Sequence, residues 1–391
     1  MKNLHIGLLP RIVIAILLGI GVGNFLPSAI VRIFLTFNSL FSEFLNFSIP
    51  LIILGLVTVA IFDIGKAAGK LLLTTVFLAY GFTVFSGFFS YFMGEMIFPR
   101  LITPGLFLES IQQAEALNPY FGITIPPVMD VISALVLAFM LGLGLAAMPG
   151  ESFKNVARDF HAIIFKVIQK AIVPLLPLYI FGIFLEMTYS GQVLPIIKLF
   201  INIIWVIFLI HILVLLLQYT IAGGITRRNP LRLLSTMLPA YFTALGTQSS
   251  AATIPVTLAQ TRKMGVSEKI AGFVVPLCAT IHLSGSTLKI VACALALMMM
   301  QGMPYNFPMF AGFILMLGIA MVAAPGVPGG AIMAALGILH SILGFDEPAQ
   351  ALMIALYIGM DSFGTACNVT GDGAIAILVE KIYHPRKTAK K

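Results

Sequence analysis

The sequence predicts an all-α polytopic membrane protein: eight transmembrane helices plus two re-entrant helical hairpins, arranged as inverted repeats. Three observations carry this. Of 391 residues, 59% are hydrophobic and 10% charged, against roughly 25% charged in soluble domains, which excludes a water-soluble fold. Lys and Arg gather at alternate ends of apolar runs of about 20 residues or more, the length a bilayer crossing needs. Two further apolar stretches carry Gly, Pro and small polar residues at their centres, in corresponding places of the second half of the chain.

In chain order, apolar runs predict helices near 8–27, 37–62, 71–98, 129–148, 160–189 and 194–222. The run after Met1–Pro10 contains Gly19, Gly21 and Gly23 but no small-residue cleavage site, so it reads as a retained first span. Lys2 and Arg11, Lys66 and Lys70, Lys154 and Arg158, and then Arg227, Arg228 and Arg232 fall at alternate ends, which places those ends and both termini in the cytoplasm. Arg32, Arg100 and Lys198 are the exceptions. The formal charge of +8 resides in these loops and tails, so no nucleic-acid partner follows from it. Cys278, Cys293 and Cys367 all lie in apolar runs, as buried thiols do, and form neither a disulfide framework nor a metal-ligand spacing.

The stretch 229–262 breaks the alternation, because Arg227, Arg228 and Arg232 precede it and Arg262, Lys263 and Lys269 follow. A single span would place one cluster outside, so the economical reading is a re-entrant hairpin with its tip in Gly246–Thr253. Non-helical backbone at that depth must be buried in protein or line a cavity. The stretch 306–345 has flanks without Lys or Arg and Pro325–Gly330 at its middle, and reads as a second hairpin entered from the opposite side. Each hairpin is followed by a span with a polar interruption: Thr280–Thr287 in the seventh span and Met360–Asp372 in the eighth.

On a helix, Asp361, Thr365, Asn368 and Asp372 fall within a stripe of about 60°. A carboxylate at membrane depth costs ~2.5–3.5 kcal/mol or more, so such a stripe faces a bundle interior or a cavity and reads as a binding face. Polar side chains also serve as hydrogen-bond glue between helices, but glue rarely needs two acids. An intramembrane aspartyl protease is disfavoured, since Asp361 and Asp372 on one helix stand about 16 Å apart. Ser249 with His282 supplies a conceivable nucleophile and base but no nucleophile elbow. No enzyme is expected.

Four segments in order, TQSSAATIPVT at the first tip, PLCATI before the seventh-span break, GVPGG at the second tip and NVTGDG in the last span, resemble the dicarboxylate/amino acid:cation symporter family, the glutamate-transporter-like proteins. The resemblance implies a homotrimer in the cytoplasmic (inner) membrane, working by an elevator mechanism. It implies a static scaffold of spans 1 and 2 (1–70) and 4 and 5 (99–190), and a moving transport domain of span 3 (71–98) with residues 191–391. It further implies that Ser249 and Ser250 at one tip and Gly326, Val327 and Gly329 at the other close over substrate. In the same pattern Asp361 holds the substrate's amino group, Thr365 and Asn368 contact its backbone, and Asp372, with Asn368 and the neighbourhood of Thr280, holds a cation such as Na⁺. An ammonium needs a buried carboxylate partner and a hard cation needs oxygen ligands, so these roles have a physical basis.

The departures from the family pattern are as informative. Acidic-substrate members carry an Arg at the position of Gly364, so the bidentate clamp for a second carboxylate is absent. Where many members read Asn-Met-Asp-Gly-Thr, this chain reads His282-Leu283-Ser284-Gly285-Ser286; Gln248 replaces a tip Arg, and Lys289 sits in mid-span. His282, Ser284 and Lys289 thus stand at would-be cation or coupling positions, with Lys289 expected to stand in for a cation near Asp372. The expectation is a symporter of a small neutral or zwitterionic amino acid, coupled to Na⁺ or H⁺, without an organic cofactor. The alternatives are a transporter of a dicarboxylate or other small carboxylate, and an exchanger or channel-like carrier.

Overall fold

The computed structural model describes residues 8–66, 69–102, 117–191, 193–324 and 329–383, and among these every regular element is helical. Helix α1 (Leu8–Gly23) ends ahead of Pro27, as chains do before a proline. Helix α2 (Ser28–Lys66) runs through Pro50, and α3 (Lys70–Ile97) closes in a 3₁₀ turn at Phe98–Arg100. Helix α4 (Val131–Ala147) starts at Asp130, whose carboxylate accepts bonds from the Ser133 hydroxyl and amide. Those two bonds hold the Asp130 carboxyl below its ordinary range. Helix α5 (Ser152–Val167) passes through a π segment, Ile168–Ile172, into α6 (Val173–Tyr189). Pro174 and Pro177 follow immediately; their missing N–H groups loosen the ladder where the wider turn sits. Helix α7 is Val193–Thr226.

Helices α8 (Pro230–Thr247) and α9 (Ser250–Lys263) are packed against each other across a two-residue connection. Gln248 takes the left-handed conformation at φ 53°, and the Ser249 hydroxyl caps α9 by accepting from Ala252 N at 3.2 Å. At 1.5 Å per residue, the 14 residues of α9 reach only about 21 Å, too short to cross a bilayer. Arg232 and Lys263 lie at the free ends of this helical pair, away from its Gln248-Ser249 connection. Helix α10 (Glu268–Ile281) and α11 (Ser284–Gln301) form one long element interrupted at His282-Leu283. Helices α12 (Phe307–Val322) and α13 (Gly330–Leu343) make the second packed pair. Helix α14 (Glu347–Gly359) then bends by 62° into α15 (Asp361–Tyr383).

Among the described residues, five helical segments are long and apolar enough to cross a membrane, six if α14 and α15 count as one broken span; α1 and α4, at 16 and 17 residues, are apolar but shorter than the expected runs. The last span is broken at Met360, ahead of the polar stripe, so Asp361, Thr365, Asn368 and Asp372 share one unbroken helix. The three cysteines are free and buried, as expected.

One continuous hydrophobic core joins the first and second halves of the chain. Helix α2 lies on α4 and α5, and α1 on α6; α3 lies on α11, while α15 is enclosed by α7, α8, α10 and α11. Every residue from Ser284 to Met300 is buried, which follows from a helix apolar on nearly all sides. Helix α11 thus crosses α15 deep inside the protein. If α8 and α9 form a re-entrant pair, single cysteines at the exposed positions 231 and 263 (Leu231→Cys, Lys263→Cys) are expected to react with a membrane-impermeant maleimide from one side only. Labelling from opposite sides would show a full crossing.

Candidate functional site

Helix α11 starts without a local side-chain cap: Leu283 precedes it, and the amides of Gly285 and Ser286 are buried. Asn368 on α15 supplies what the sequence around Leu283 does not. Its Oδ1 accepts from Gly285 N at 2.7 Å and from Ser286 N at 3.4 Å, and its Nδ2 donates to Ser286 Oγ at 3.2 Å. Tyr357 OH donates to the same Ser286 oxygen at 3.0 Å. The helices can approach this closely because residue 285 is glycine. A Cβ there would stand 2.5 Å from the Gly364 carbonyl oxygen and 2.6 Å from Cys367 Cβ.

One turn further along α11, Lys289 Nζ lies 2.9 Å from Asp361 Oδ1, donates to Tyr357 O at 3.3 Å and sits 3.4 Å from the centre of the Tyr357 ring. The other Asp361 oxygen accepts from Gly329 N, at the start of α13, at 2.9 Å. One carboxylate therefore joins the central helix to the second helix pair. The pair is enclosed, with Lys289 0% and Asp361 4% exposed. A Cβ at Gly364 would approach Lys289 Nζ to 2.9 Å. The place where a residue-364 side chain would begin is thus taken by an ammonium delivered from another helix.

The second carboxylate has its own partner. His282 Nδ1 donates to Asp372 Oδ1 at 2.8 Å, with both residues almost fully buried. This corrects the expected neighbour of Lys289, which is Asp361 and not Asp372. Helices α11 and α15 run antiparallel where they cross, so the later residue of α11 meets the earlier residue of α15. Around Asp372, a Cβ at Gly371 would meet His282 Cε1 at 2.6 Å and Gln218 Oε1 at 2.7 Å. His282 Nε2, both Gln218 amide atoms and Thr370 Oγ1 are buried without a hydrogen-bond partner among the described residues. Of these, Gln218 Oε1 is an oxygen acceptor left open beside Gly371, whereas the Asn368 amide oxygen is already committed to two backbone amides.

The remaining expected residues divide. Thr365 is buried on α15 and donates to Asp361 O at 2.9 Å, and Ser284 is buried at the first turn of α11. Ser249 and Ser250 stand at the α8–α9 connection. Gly326 and Val327 lie outside the described residues. Thr280 is exposed, donates to Leu277 O at 2.8 Å, and lines a cavity of about 510 Å³ with Asp63, Leu72, His161 and Val322–Ala324; the structure does not bring it to Asn368 or Asp372. Tyr357 and Gln218 were not singled out from the sequence, His211 was given no role there, and Ser286 entered only as part of the seventh-span interruption; here Tyr357, His211 and Ser286 bond around the start of α11 and Gln218 lies beside Gly371. His211 Nε2 lies 3.3 Å from Gly285 O and thereby holds the α11 start from α7. The available signal was His211 and Gln218, seven residues apart and hence on one helix face, in the otherwise apolar stretch 203–218 of α7.

The family model described as the sodium:dicarboxylate symporter family matches residues 8–382. The serine/threonine transporter SstT of Acinetobacter baumannii is 27% identical over 391 aligned positions, covering 94% of this chain and 95% of that protein. An excitatory amino acid transporter of Caenorhabditis elegans is 27% identical over 268 positions, 66% of this chain and 52% of its own length. Excitatory amino acid transporter 1 of Rattus norvegicus is 32% identical over 176 positions, 44% of this chain and 32% of its own. These relatives are transporters and not enzymes, and sodium is the coupling ion for which the family is named. With its match running from α1 through α15, the chain belongs to the sodium:dicarboxylate symporter family.

Proposed function

We propose that the protein is a secondary symporter of a small neutral amino acid, coupled to a cation and working as a homotrimer in the inner membrane with both termini cytoplasmic. One observation carries the substrate reading. Asp361 is a buried carboxylate placed to take an ammonium, and its own helix offers only Gly364 where a second carboxylate would need a guanidinium. The likeness to a serine/threonine transporter over nearly the whole chain supports it. In this reading α1, α2 and α4–α6 are the scaffold, and α3 with α7–α15 is the moving domain. The cavity of about 510 Å³ lies between the two sets, against α2, α5, α10 and the end of α12, at the Asp63 end of α2. That position supports a state open towards the cytoplasm. A small-carboxylate substrate is the second reading, favoured by the Lys289 ammonium beside the site.

The test is uptake of labelled serine by purified protein in liposomes under an inward sodium gradient, with unlabelled competitors. Burying an unpaired second carboxylate costs several kcal/mol, and 1.4 kcal/mol is tenfold. Serine and threonine are therefore expected to compete roughly 100-fold more effectively than aspartate. Aspartate competing as well as serine would overturn the neutral-substrate reading, and unsaturable current in place of saturable counterflow would mark a channel.

A further inference from the structure

We propose that Lys289 is a tethered counter-ion: in the empty carrier its ammonium occupies Asp361 in place of the substrate's ammonium, so the unloaded site closes and crosses the membrane without a bound cation. This inference rests on the amino-acid reading above and concerns the half of the cycle which that reading leaves open, the return of the empty carrier.

An unpaired carboxylate inside a closed, dehydrated site is strongly unfavourable. A carrier whose only partner for that carboxylate is cargo is held to exchange, because its empty site resists closure. Here the partner is built in. Lys289 Nζ is 2.9 Å from Asp361 Oδ1, and its remaining donors face Tyr357 O at 3.3 Å and the Tyr357 ring at 3.4 Å. All the charge of the ammonium is thereby satisfied without any ligand. The closing contact is present at the same time: Gly329 N donates to Asp361 Oδ2 at 2.9 Å, bringing the start of α13 onto the carboxylate. The arrangement also requires room for Lys289, which glycine at 364 provides, since any Cβ there would crowd Nζ to 2.9 Å. Substrate binding is then an ion exchange. The incoming ammonium takes the Asp361 oxygen, and the Lys289 ammonium swings off it towards the Tyr357 carbonyl and ring or the incoming carboxylate.

Two measurements decide this. The first needs no substrate: infrared difference spectra of the purified empty protein, comparing wild type with Lys289→Met. Removing the ammonium forces Asp361 to take a proton, so Lys289→Met gains a protonated-carboxyl band that the double variant Lys289→Met/Asp361→Asn lacks. Absence of that band overturns the proposal. The second uses labelled serine and compares net uptake into empty liposomes with exchange into serine-loaded ones. Wild type gives similar rates; in Lys289→Met the ratio of net uptake to exchange falls at least tenfold, and methylammonium inside the vesicles restores it. Gly364→Ala, which keeps the lysine but crowds its nitrogen, lowers the ratio in the same direction. An unchanged ratio in Lys289→Met, or loss of exchange together with net uptake that methylammonium does not restore, overturns the proposal. A wild type that moves no serine at all counts against the amino-acid reading, while the infrared comparison still decides whether Lys289 neutralises Asp361.

Discussion

Asp361→Asn is expected to abolish amino-acid accumulation and to destabilise the protein, and the second effect separates it from a simple loss of binding. Asparagine keeps the size of the side chain but leaves the Lys289 ammonium, 2.9 Å away and fully buried, without its counter-charge. Breaking a buried pair by removing one partner costs about 3–5 kcal/mol, whereas replacing both partners by apolar groups is often neutral. The double variant Asp361→Asn/Lys289→Met should therefore recover much of the lost stability while remaining inactive in transport. Thermal unfolding of the four proteins in detergent, read as a double-mutant cycle, gives the coupling between the two residues. If the double variant is as unstable as Asp361→Asn alone, the two charges are not energetically coupled. Retained amino-acid uptake by Asp361→Asn would remove Asp361 from the substrate site altogether.

Gly285→Ala is the second substitution with a large expected effect, and its cause is steric. The new methyl would lie 2.5 Å from the Gly364 carbonyl oxygen, 2.6 Å from Cys367 Cβ and 3.2 Å from Asn368 Oδ1. The first two belong to backbone or to the root of a side chain and cannot rotate away, so α11 and α15 must separate. Overpacking of this kind costs about 1–3 kcal/mol. It also lengthens the Asn368 bonds that cap α11 and shifts Lys289 relative to Asp361. Uptake is expected to fall roughly tenfold or more, with a lower unfolding temperature. Gly272→Ala is the control, since nothing stands within 4 Å of a Cβ there. Equal behaviour of the two variants would show that the α11–α15 crossing tolerates separation.

The order of elements was legible because a bilayer imposes few solutions. Long apolar runs, basic ends that alternate, and one run that is basic at both ends gave the helix boundaries of α3, α4, α8 and α9 to within a few residues. The break at His282-Leu283 was legible for the same reason, as polar residues inside an apolar run. The break at Met360 was less so. The polar stripe drew attention to residues after it, while the bend itself falls at Gly359 and Met360, which carry no polar side chain.

The sequence by itself singled out five polar side chains, Asp361, Asp372, His282, Lys289 and Asn368, in segments too apolar to lie anywhere but inside the bundle, and all five are buried. Hydropathy decides that, since each such group costs free energy in lipid unless it is enclosed and paired. Only the tertiary structure decided who pairs with whom. Periodicity puts Lys289, His282 and Ser286 near one another on their own element, and Asp361 and Asp372 on theirs, but says nothing of how the two elements run past each other. Their antiparallel crossing at Gly285 matches Lys289 to Asp361 and His282 to Asp372. It also turns Asn368 from an expected ligand into the cap of α11. Pairing depends on distances of a few ångströms between segments some 70–90 residues apart in the chain, and such distances are set by helix packing, which no local pattern records.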